Sequence, residues 1–393
     1  MKFRIPQSAQ KALDTLNDNG YEGYLVGGCV RNWLMGATPH DFDITTNALP
    51  EQIKSCFDGY RTIETGIKHG TITVIIDGES LEITTYRADG EYLDNRRPES
   101  VEFVSSLSED LSRRDFTMNA IAYANGELVD LFSGVEDIKN GSIRCVGNPE
   151  KRFDEDALRI MRALRFSATL GFKIESETSN AINKKCGLLA NISAERNFIE
   201  LKKLICGDFA AQVLDEYAKV ICEIIPQLSI ENVQEYAKKV GNIQPNLPLR
   251  LAGLLLPLKA EADIALYLLK VDKVTKTLVL NAIKACDCAL CDETSALLAV
   301  SELGFDAVII AAELKGETGL AQFIKKAKEK EVCVHIRQLK ISGDDLASLG
   351  MSGKQIGECL SMLLRAVILG EVKNEHSELL KKAQELNNKS HTD

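Results

Sequence analysis

Hydrophobic runs long enough to cross a membrane are missing from this sequence, and its first residues contain no apolar segment typical of a secretory leader. Proline is scarce, at 9 of 393 residues, and no repeat or low-complexity stretch is present, which excludes collagen-like and disordered classes. The 11 cysteines are an odd number and stand mostly as single residues in apolar stretches, which favours reduced thiols over a disulfide scaffold. We therefore expect a cytoplasmic protein with no membrane partner.

Positive charge is also in short supply. The chain has 47 Lys and Arg against 57 Asp and Glu, a formal net charge of −10, which argues against a protein that coats nucleic acid without specificity. Nucleic acid bound in one local basic groove stays compatible with this balance. The length, 393 residues, is sufficient for about two to four domains with sizeable cores.

The periodicity of the apolar residues changes near residue 148. From about residue 20 to 147, short β-branched runs such as TITVII and LEITTY alternate with Gly and Asp turns, which is typical of a sheet. After Asn148-Pro149 the apolar residues recur at helical spacing almost to the C-terminus. The pattern predicts an α+β fold, in which a sheet-and-helix head is followed by a long all-helical region.

A glycine loop ends the first apolar run, in YLVGGCVR. Gly27 and Gly28 would let backbone N–H groups approach a triphosphate at the start of the next helix, and Arg31 would add a cation. Because strand–Gly–Gly–helix turns are common, the loop alone favours an ordinary structural turn.

Two aspartates follow in HDFDITT. If FDITT is a strand, Asp41 and Asp43 point to one face, because residues i and i+2 of a strand share a side. Neighbouring carboxylates repel unless a cation lies between them, and hard oxygen ligands suit Mg²⁺. Glu82 is a candidate third ligand if its β-branched run pairs beside this strand. The tripeptide alone favours an exposed turn, but the glycine loop upstream favours a metal site for in-line phosphoryl displacement.

LVGGCVR and HDFDITT resemble the signature of the DNA polymerase β-type nucleotidyltransferase superfamily. The remaining motifs resemble its class II branch, which comprises the tRNA nucleotidyltransferases (CCA-adding enzymes) and the bacterial poly(A) polymerases. The similarity extends from about residue 20 to 205, with a weaker match near 340–370. Asn32 departs from the family, which usually has Asp after the loop arginine, and we expect little loss from this difference.

The resemblance implies a polymerase β-like catalytic head, a helical neck with a base-reading helix, a helical body and a helical tRNA-binding tail. These regions would occupy residues 1–138, 139–205, 206–275 and 276–393. Within the head, residues 89–97 resemble the flexible loop that members adding the terminal A require. Without the family context, a surface hairpin is an equally good interpretation.

The segment LSRRDFTMNA is a predicted nucleotide-binding element. Its arginines, Asp and Asn stand at helical spacing and suit phosphate oxygens and ribose hydroxyls. The resemblance implies that Arg113 or Arg114 binds the triphosphate and that Asp115 with Asn119 reads the sugar. A structural Arg–Asp pair at a helix start is the alternative.

The segment RFDEDALRIMRALRF is interpreted as one amphipathic helix. In such a helix Glu155, Asp156 and Arg159 share a face, and Arg159, Arg162 and Arg165 form a cationic stripe. The alternative is a salt-bridged solvent face. Against it, three arginines in register would repel each other without an anionic partner.

An Asp–Arg pair is able to select a base. Asp accepts from the exocyclic amine of cytosine or adenine and Arg donates to the ring nitrogen beside it, whereas uracil or guanine would leave a buried polar group unpaired, at about 1–3 kcal/mol. The resemblance implies that Asp156 and Arg159 bind the base and that Glu155 steers Arg159. It also implies that Arg162 and Arg165 face phosphates of the nucleotide or primer.

Two later segments also resemble family motifs. In SAERNFIELKKLI, Glu200 is expected to pair within its own helix. In the tail, Ser342 and Asp345 suit a capping box, and Lys340 and Lys354 are candidate tRNA-binding residues. For a single lysine, a solvated helix face is the ordinary alternative.

We predict template-independent addition of C, C and A to the 3′ end of tRNA from CTP and ATP, with Mg²⁺ on Asp41 and Asp43 and release of pyrophosphate. An A-adding enzyme that works with a separate CC-adding enzyme is a close alternative. A bacterial poly(A) polymerase is disfavoured, because ETGIKHGT lacks the Gly-basic-basic-Phe pattern of that branch. An inactive RNA-binding relative is disfavoured by the retained aspartates.

Overall fold

The computed structural model describes residues 3–89 and 101–390. The chain forms two compact units, Met1–Gly241 and Asn242–Asp393, and each is described by itself. Residues 90–97 of the expected flexible loop lie outside the described residues. The finer division into head, neck, body and tail stays a prediction.

The strands of the first unit are short. They are β1 Gly23–Val26, β2 Asp43–Thr46, β3 Arg61–Ile63, β4 Thr71–Ile76, β5 Glu79–Thr85, β6 Arg87–Asp89, β7 Val101–Phe103, β8 Ile121–Ala124, β9 Glu127–Asp130, β10 Ser142–Ile143 and β11 Lys173–Ile174. A seven-stranded mixed sheet has the order β3-β4-β5-β2-β1-β8-β9. Within it, β2 and β5 are parallel and the other neighbours are antiparallel. The pairs β6–β7 and β10–β11 form two small separate sheets.

Alternating burial explains why these runs form a sheet. In β4, Ile72, Val74 and Ile76 are fully buried while the residues between them are only half-buried, as expected where successive side chains point to opposite faces. Helix α1 (Gln7–Asp18) packs its apolar stripe, including Leu13 and Leu16, against this sheet.

The other helices of the first unit surround the sheet or follow it. They are α2 Gly28–Leu34, α3 Pro50–Cys56, α4 Leu107–Ser112, α5 Gly134–Asn140, α6 Pro149–Glu155, α7 Leu158–Leu170, α8 Ser176–Lys185, α9 Ala194–Ile205, α10 Ala210–Glu216, α11 Ala218–Ile224 and α12 Ile230–Val240. Short 3₁₀ helices of this unit cover Ile67–His69, Thr117–Asn119 and Cys186–Asn191. Helix α7 packs against α9 and α10, and its Arg162 and Arg165 line a cleft together with Gly27 and Gly28.

The described part of the second unit is helical. Its helices are α13 Leu247–Leu255, α14 Ala262–Leu268, α15 Lys273–Asp287, α16 Glu293–Leu303, α17 Phe305–Lys315, α18 Thr318–Glu329, α19 Gly343–Ala347, α20 Lys354–Ile368 and α21 His376–Ser390, with 3₁₀ helices at Leu256–Glu261 and Ile336–Gln338. One apolar cluster joins α15 to α18 and a second joins α19 to α21. No helix among the described residues is long and apolar enough to span a membrane. The predicted α+β fold class is confirmed.

Candidate active site

A cleft of about 600 Å³ opens in the first unit beside the glycine loop. Many of the predicted site residues line it: Gly27, Gly28, Arg31, Asp43, Arg114, Asp115, Asn119, Arg162 and Arg165. Other predicted residues are not part of this lining in the described chain: Asp41, Glu82, Arg113, Glu155, Asp156 and Arg159. The cleft therefore combines acidic side chains with several cations, which suits a polyphosphate with a metal ion.

The glycine loop folds as predicted. Gly27 has φ +75° and α2 begins at Gly28, so the strand turns into the helix through a conformation that favours glycine. A methyl carbon added at Gly27 would lie 3.4 Å from Nη1 of Arg114. Nη1 of Arg114 therefore lies beside the loop, at the distance of an ordinary van der Waals contact from the position of that carbon.

Arg31 is held at the cleft by neutral groups. Its Nη1 donates to Oδ1 of Asn119 at 2.7 Å, and its Nη2 donates to Oδ1 of Asn32 at 2.9 Å. Its guanidinium carbon also lies 5.0 Å from the centre of the Phe166 ring. Because amide oxygens carry no net charge, these hydrogen bonds orient Arg31 without neutralising it.

The predicted acidic residues lie at two neighbouring strands. Strand β2 begins at Asp43, so the expectation that all of FDITT is a strand is wrong for Phe42, and Asp41 lies in the preceding loop. Burial still alternates, since Asp41 and Asp43 are exposed while Phe42 is buried. On the parallel strand β5, Glu82 pairs directly with Asp43, which confirms that the two runs lie side by side.

The surroundings of Asp43 raise its pKa to about 6. Although the residue keeps access to solvent, the main cause is the loss of water around its carboxylate, and the negative charge of Glu82 adds to it. The positive charge of Arg114 acts in the opposite direction, and Asp41 makes a smaller contribution. Within residues 3–89 and 101–390, no three Asp, Glu, His or Cys side chains are close enough to hold one metal ion. The carboxylates therefore share a face without converging on one point.

The nucleotide-binding segment is not one helix. Helix α4 ends one residue before Arg113 and the next turn is a separate 3₁₀ helix, so the expected helical spacing is wrong. Asp115 nevertheless meets Asn119, whose Nδ2 donates to its Oδ1 at 3.0 Å, and Arg162, whose Nε donates to its Oδ2 at 2.8 Å. Burial alone would raise the pKa of Asp115, but attraction to Arg162 and these hydrogen bonds hold it at about 2.

The predicted base-reading helix is interrupted. Helix α6 ends at Glu155 and α7 begins at Leu158, with Asp156 in extended backbone between them, so the prediction of one continuous helix is wrong. Asp156 instead caps α7, because its Oδ1 accepts from the Leu158 N–H at 3.1 Å. Its Oδ2 lies 3.3 Å from Nη2 of Arg196 on α9.

Arg159 is buried, with 7% of its surface exposed, and is fixed from two sides. Its Nη1 donates to Oε2 of Glu155 at 2.8 Å, which confirms the predicted pairing. Its Nη2 donates to the backbone carbonyl of Arg113 at 2.9 Å. The base-reading segment is therefore attached to the nucleotide-binding segment through a main-chain group.

The arginine stripe of α7 is paired from other elements. Arg162 pairs with Asp115, and Nε of Arg165 lies 3.2 Å from Oε2 of Glu200 on α9. The expectation that Glu200 pairs within its own helix is wrong, and so is the solvent-face alternative. The Phe166 ring centre lies 3.9 Å from the guanidinium carbon of Arg165 and 5.5 Å from that of Arg162. The anionic partners that the stripe requires are thus, at least in part, the protein's own Asp115 and Glu200.

Asp110 is the main residue of this region that was not predicted. It is fully buried and accepts hydrogen bonds from Arg113, Arg114 and Thr45. Its sequence signal is the spacing of three and four residues to the two arginines, at which side chains on a helix meet. Lys203 also lines the cleft but lies on α9, and only the packing of that helix against α7 brings it there.

The candidate tRNA-binding lysines lie in the second unit. Lys354 begins α20 and pairs with Glu358 at 3.2 Å on the surface. Ser342 and Asp345 form the predicted capping box at the start of α19. Lys340 is exposed. Contact of these lysines with RNA stays a prediction.

Three family models match separate parts of the chain. The Poly A polymerase head domain matches residues 23–144. The "Probable RNA and SrmB- binding site of polymerase A" matches residues 171–222, and tRNA nucleotidyltransferase domain 2 matches residues 252–383. The three matches cover both units in the order expected for this family.

The chain is also similar over nearly its whole length to proteins named CCA-adding enzyme. The protein of Ligilactobacillus salivarius is 36% identical over 399 residues, covering 97% of this chain and 98% of the relative. That of Enterococcus faecalis is 36% identical over 399 residues, covering 98% and 97%. The crystal structure of the Bacillus stearothermophilus CCA-adding enzyme in complex with CTP matches with a TM-score of 0.85 and 31% identity, covering 99% of this chain and 100% of that one. The chain therefore belongs to the CCA-adding enzyme family of tRNA nucleotidyltransferases.

Proposed function

We propose that this chain adds C, C and A to the 3′ end of tRNA without a nucleic-acid template, using CTP and ATP and releasing pyrophosphate. The observation that carries the proposal is that Asp43 and several arginines line the same cleft. Nucleotidyl transfer needs carboxylates beside the reacting phosphate and cations around the other phosphates. Full-length relatives named CCA-adding enzyme and a relative crystallised with CTP support this function.

Mg²⁺ is the proposed cofactor, held by Asp41 and Asp43 with Glu82 as the third carboxylate. All three are hard oxygen ligands on one face, which suits this ion, but among the described residues they do not converge on one point, so binding of the ion would have to draw the carboxylates together. When bound, the ion would activate the tRNA 3′-hydroxyl and stabilise the leaving oxygen. The chain's own contribution is to concentrate negative charge at this edge of the sheet.

The triphosphate is proposed to lie along the glycine loop. Gly27 and Gly28 bring the backbone close at the start of α2, Arg31 keeps its charge between two amide oxygens, and Arg114 lies beside the loop. Guanidinium groups in this arrangement match phosphate oxygens. Arg113 is paired beside Arg114 and is proposed to support it rather than to bind phosphate directly.

The ribose and the primer are proposed to lie against α7. Asp115 with Asn119 would read the ribose, and because both oxygens of Asp115 already accept protein hydrogen bonds, a ribose hydroxyl would share one of them. Arg162 and Arg165 would face phosphates of the nucleotide or primer. Their partners, Asp115 and Glu200, keep the two guanidinium groups in place.

The base is proposed to meet Asp156 and Arg159. Asp156 would accept from the exocyclic amine of C or A, and Arg159, steered by Glu155, would donate to the ring nitrogen. Because Asp156 caps α7 and pairs with Arg196, its position is set before a nucleotide arrives. A site held in this way rejects U and G without a template strand.

The requirement for Mg²⁺ is expected to depend on pH. The pKa of Asp43, about 6, lies above that of an ordinary Asp, so this carboxylate takes up a proton as the pH falls through that value and the proton then competes with the metal ion. We expect the Mg²⁺ concentration for half-maximal CTP incorporation to rise by up to about tenfold for each pH unit below the pKa. Asp115, with a pKa of about 2, stays ionised throughout.

Titration of Mg²⁺ between about pH 5 and about pH 8 measures this effect. Glu82→Gln removes a charge that raises the pKa of Asp43. In this variant the pH below which the half-maximal Mg²⁺ concentration begins to rise should therefore be lower than in the wild type. A half-maximal Mg²⁺ concentration that does not change across the range would contradict the metal-binding role of Asp43.

Gly27→Ala is expected to weaken CTP binding as well as the fold. Alanine would have to adopt a positive φ, at about 1–2 kcal/mol, and its methyl carbon would lie 3.4 Å from Nη1 of Arg114, where the backbone is proposed to approach the triphosphate. Gly126→Ala is the matched control, since Gly126 has φ +85° and no atom within 4 Å of the methyl position. Both variants should lose similar free energy of unfolding in urea, but only Gly27→Ala should raise the dissociation constant of CTP, by about tenfold. Equal CTP affinity in the two variants would argue against a triphosphate at this loop.

The function is tested by incorporation of labelled CTP or ATP, with Mg²⁺, onto tRNA ending at the discriminator base, at C or at CC. Addition of C, C and A in turn to the shortest tRNA, lost in Asp41→Ala, would establish the proposal. Addition of A alone to the CC-ended tRNA would indicate the A-adding alternative, and long A tails would indicate a poly(A) polymerase. No incorporation on any tRNA would exclude an enzymatic function of this kind.

The remaining expectations are also proposals. Lys340 and Lys354 would contact tRNA phosphates from the tail, and the chain would divide into head, neck, body and tail at the boundaries given above. The enzyme would work in the cytoplasm, where reduced cysteines persist.

A further inference from the structure

The carboxylate of Asp110 is a buried group with no part in the proposed reaction. It has no exposed surface, and both of its oxygens accept hydrogen bonds. Oδ1 accepts from Nε and Nη2 of Arg113 at 3.0 and 2.7 Å. Oδ2 accepts from Nη2 of Arg114 at 3.1 Å and from Oγ1 of Thr45 at 3.2 Å. One buried anion thus holds two arginines, so the cluster keeps an excess positive charge.

Arg114 connects Asp110 with the proposed phosphate site. Arg114 lines the cleft, its Nη1 lies at the glycine loop, and its charge acts on Asp43. Its Nε is buried and makes no hydrogen bond to the described part of the chain. Because Nη2 is bound to Asp110, that carboxylate sets where Arg114 places its charge.

Arg113 connects Asp110 with the base-reading segment around Arg159. The fork of Arg113 on Asp110 fixes the turn that follows α4, and the carbonyl of Arg113 in this turn accepts from Nη2 of Arg159. Arg159 is the proposed base reader. The same carboxylate therefore holds both the phosphate-facing arginine and the main-chain group that orients the base-facing one.

A buried Asp–Arg cluster can stabilise the fold without any role in the reaction. Asp137, in the same unit, is a buried carboxylate with which Asp110 can be compared. Asp137 is also buried and accepts from a threonine, Thr117, and from an arginine, Arg144. The side chain of Arg144 is 55% exposed and does not line the described cleft. Asp110 differs because Arg114 lines the cleft and the carbonyl of Arg113 accepts a hydrogen bond from Arg159.

We infer that Asp110 is a positioning residue that couples phosphate binding by Arg114 to base reading by Arg159. The inference rests on the proposed CCA-adding function. It predicts that loss of the Asp110 charge changes the KM for the nucleotide and the choice of base together, whereas a purely structural carboxylate would change neither.

The test compares Asp110→Asn with Asp137→Asn in the full-length chain, using tRNA that ends at the discriminator base. For Asp110→Asn we expect the KM for CTP to rise about tenfold and the preference for CTP over UTP, as a ratio of kcat/KM values, to fall about tenfold. For Asp137→Asn we expect a lower melting temperature and an unchanged preference, because its partner Thr117 lies on the turn of Asn119, which is proposed to meet the ribose rather than the base. A folded Asp110→Asn protein whose KM and preference equal those of Asp137→Asn would overturn the inference.

Removal of a buried charge is able to prevent folding, so a gentler pair of variants supports the test. Thr45→Val removes a hydroxyl donor from Asp110, and Thr85→Val removes an equally buried hydroxyl donor from the Ala48 carbonyl, while every charge is kept. Thr45→Val should raise the KM for CTP and lower the preference by about threefold, and Thr85→Val should change neither. Equal effects of the two changes would overturn the inference. A wild-type chain that does not incorporate CTP would instead refute the proposed function, which separates the two failures.

Discussion

Asp43→Asn is expected to lower the incorporation of CTP and ATP by about a thousandfold or more, because it removes a carboxylate from the proposed metal site. The fold should not suffer. The folded state raises the pKa of Asp43 to about 6, so the ionised form is disfavoured in the native protein, and the stability that a proton contributes is lost as the pH rises through this value. A neutral Asn keeps that stability at neutral pH. We therefore expect an inactive variant whose melting temperature equals or exceeds that of the wild type.

Asp58→Asn is the control for this change. Asp58 is an exposed aspartate of the same unit and does not line the described cleft, so its variant should keep wild-type incorporation and a wild-type melting temperature. Rates are measured with labelled CTP at saturating tRNA, and stability is measured by thermal unfolding. An Asp43→Asn protein that incorporates CTP nearly as fast as the control would remove Asp43 from the reaction.

Asp156→Ala is expected to lower the preference for CTP over UTP by about 10- to 100-fold, because the acceptor for the exocyclic amine is lost. The same change removes the cap of α7, which should lower the free energy of unfolding by about 1 kcal/mol. Loss of the Arg196 partner adds to the disturbance at this point. Both effects are measured on one protein, by competition between CTP and UTP and by urea unfolding.

Asn148→Ala separates the two effects of that change. Asn148 caps the neighbouring helix α6 by accepting from the Lys151 N–H at 3.1 Å, so its loss should lower stability by about the same 1 kcal/mol. Its side chain does not line the described cleft, and the preference for CTP should stay at the wild-type value. If Asn148→Ala and Asp156→Ala relax the preference equally, the base-reading role of Asp156 is wrong and helix capping is the cause.

Much of the site was predictable because its signals are local. The glycine loop follows directly from an apolar strand that meets two glycines and a helix, and the capping box of Ser342 and Asp345 depends on residues three apart. Glu155 and Arg159 are only four residues apart and pair in the structure, although the helix breaks between them. These features depend on backbone geometry over a few residues.

The errors occur where a local preference competes with a distant partner. The pattern around Asp156 is compatible with one continuous helix, but an Asp there is able to cap the next helix and to pair with Arg196 on α9, and the chain breaks at that residue. Glu200 has basic neighbours within its own helix, yet it pairs with Arg165, because the packing of α7 against α9 brings the two side chains together where Glu200 is buried.

Sequence spacing was therefore sufficient for the fold class, for the glycine loop and for the identity of most charged residues in the cleft. Tertiary packing was needed for the partner of each charge: Glu82 beside Asp43, Asp115 beside Arg162 and Asp110 between two arginines. The physical reason is the separation of the interacting groups along the sequence. Capping and helical contacts join residues a few positions apart, whereas strand pairing and helix packing bring together groups that are far apart in sequence. Burial then decides which charges the protein must neutralise and which stay available to a ligand.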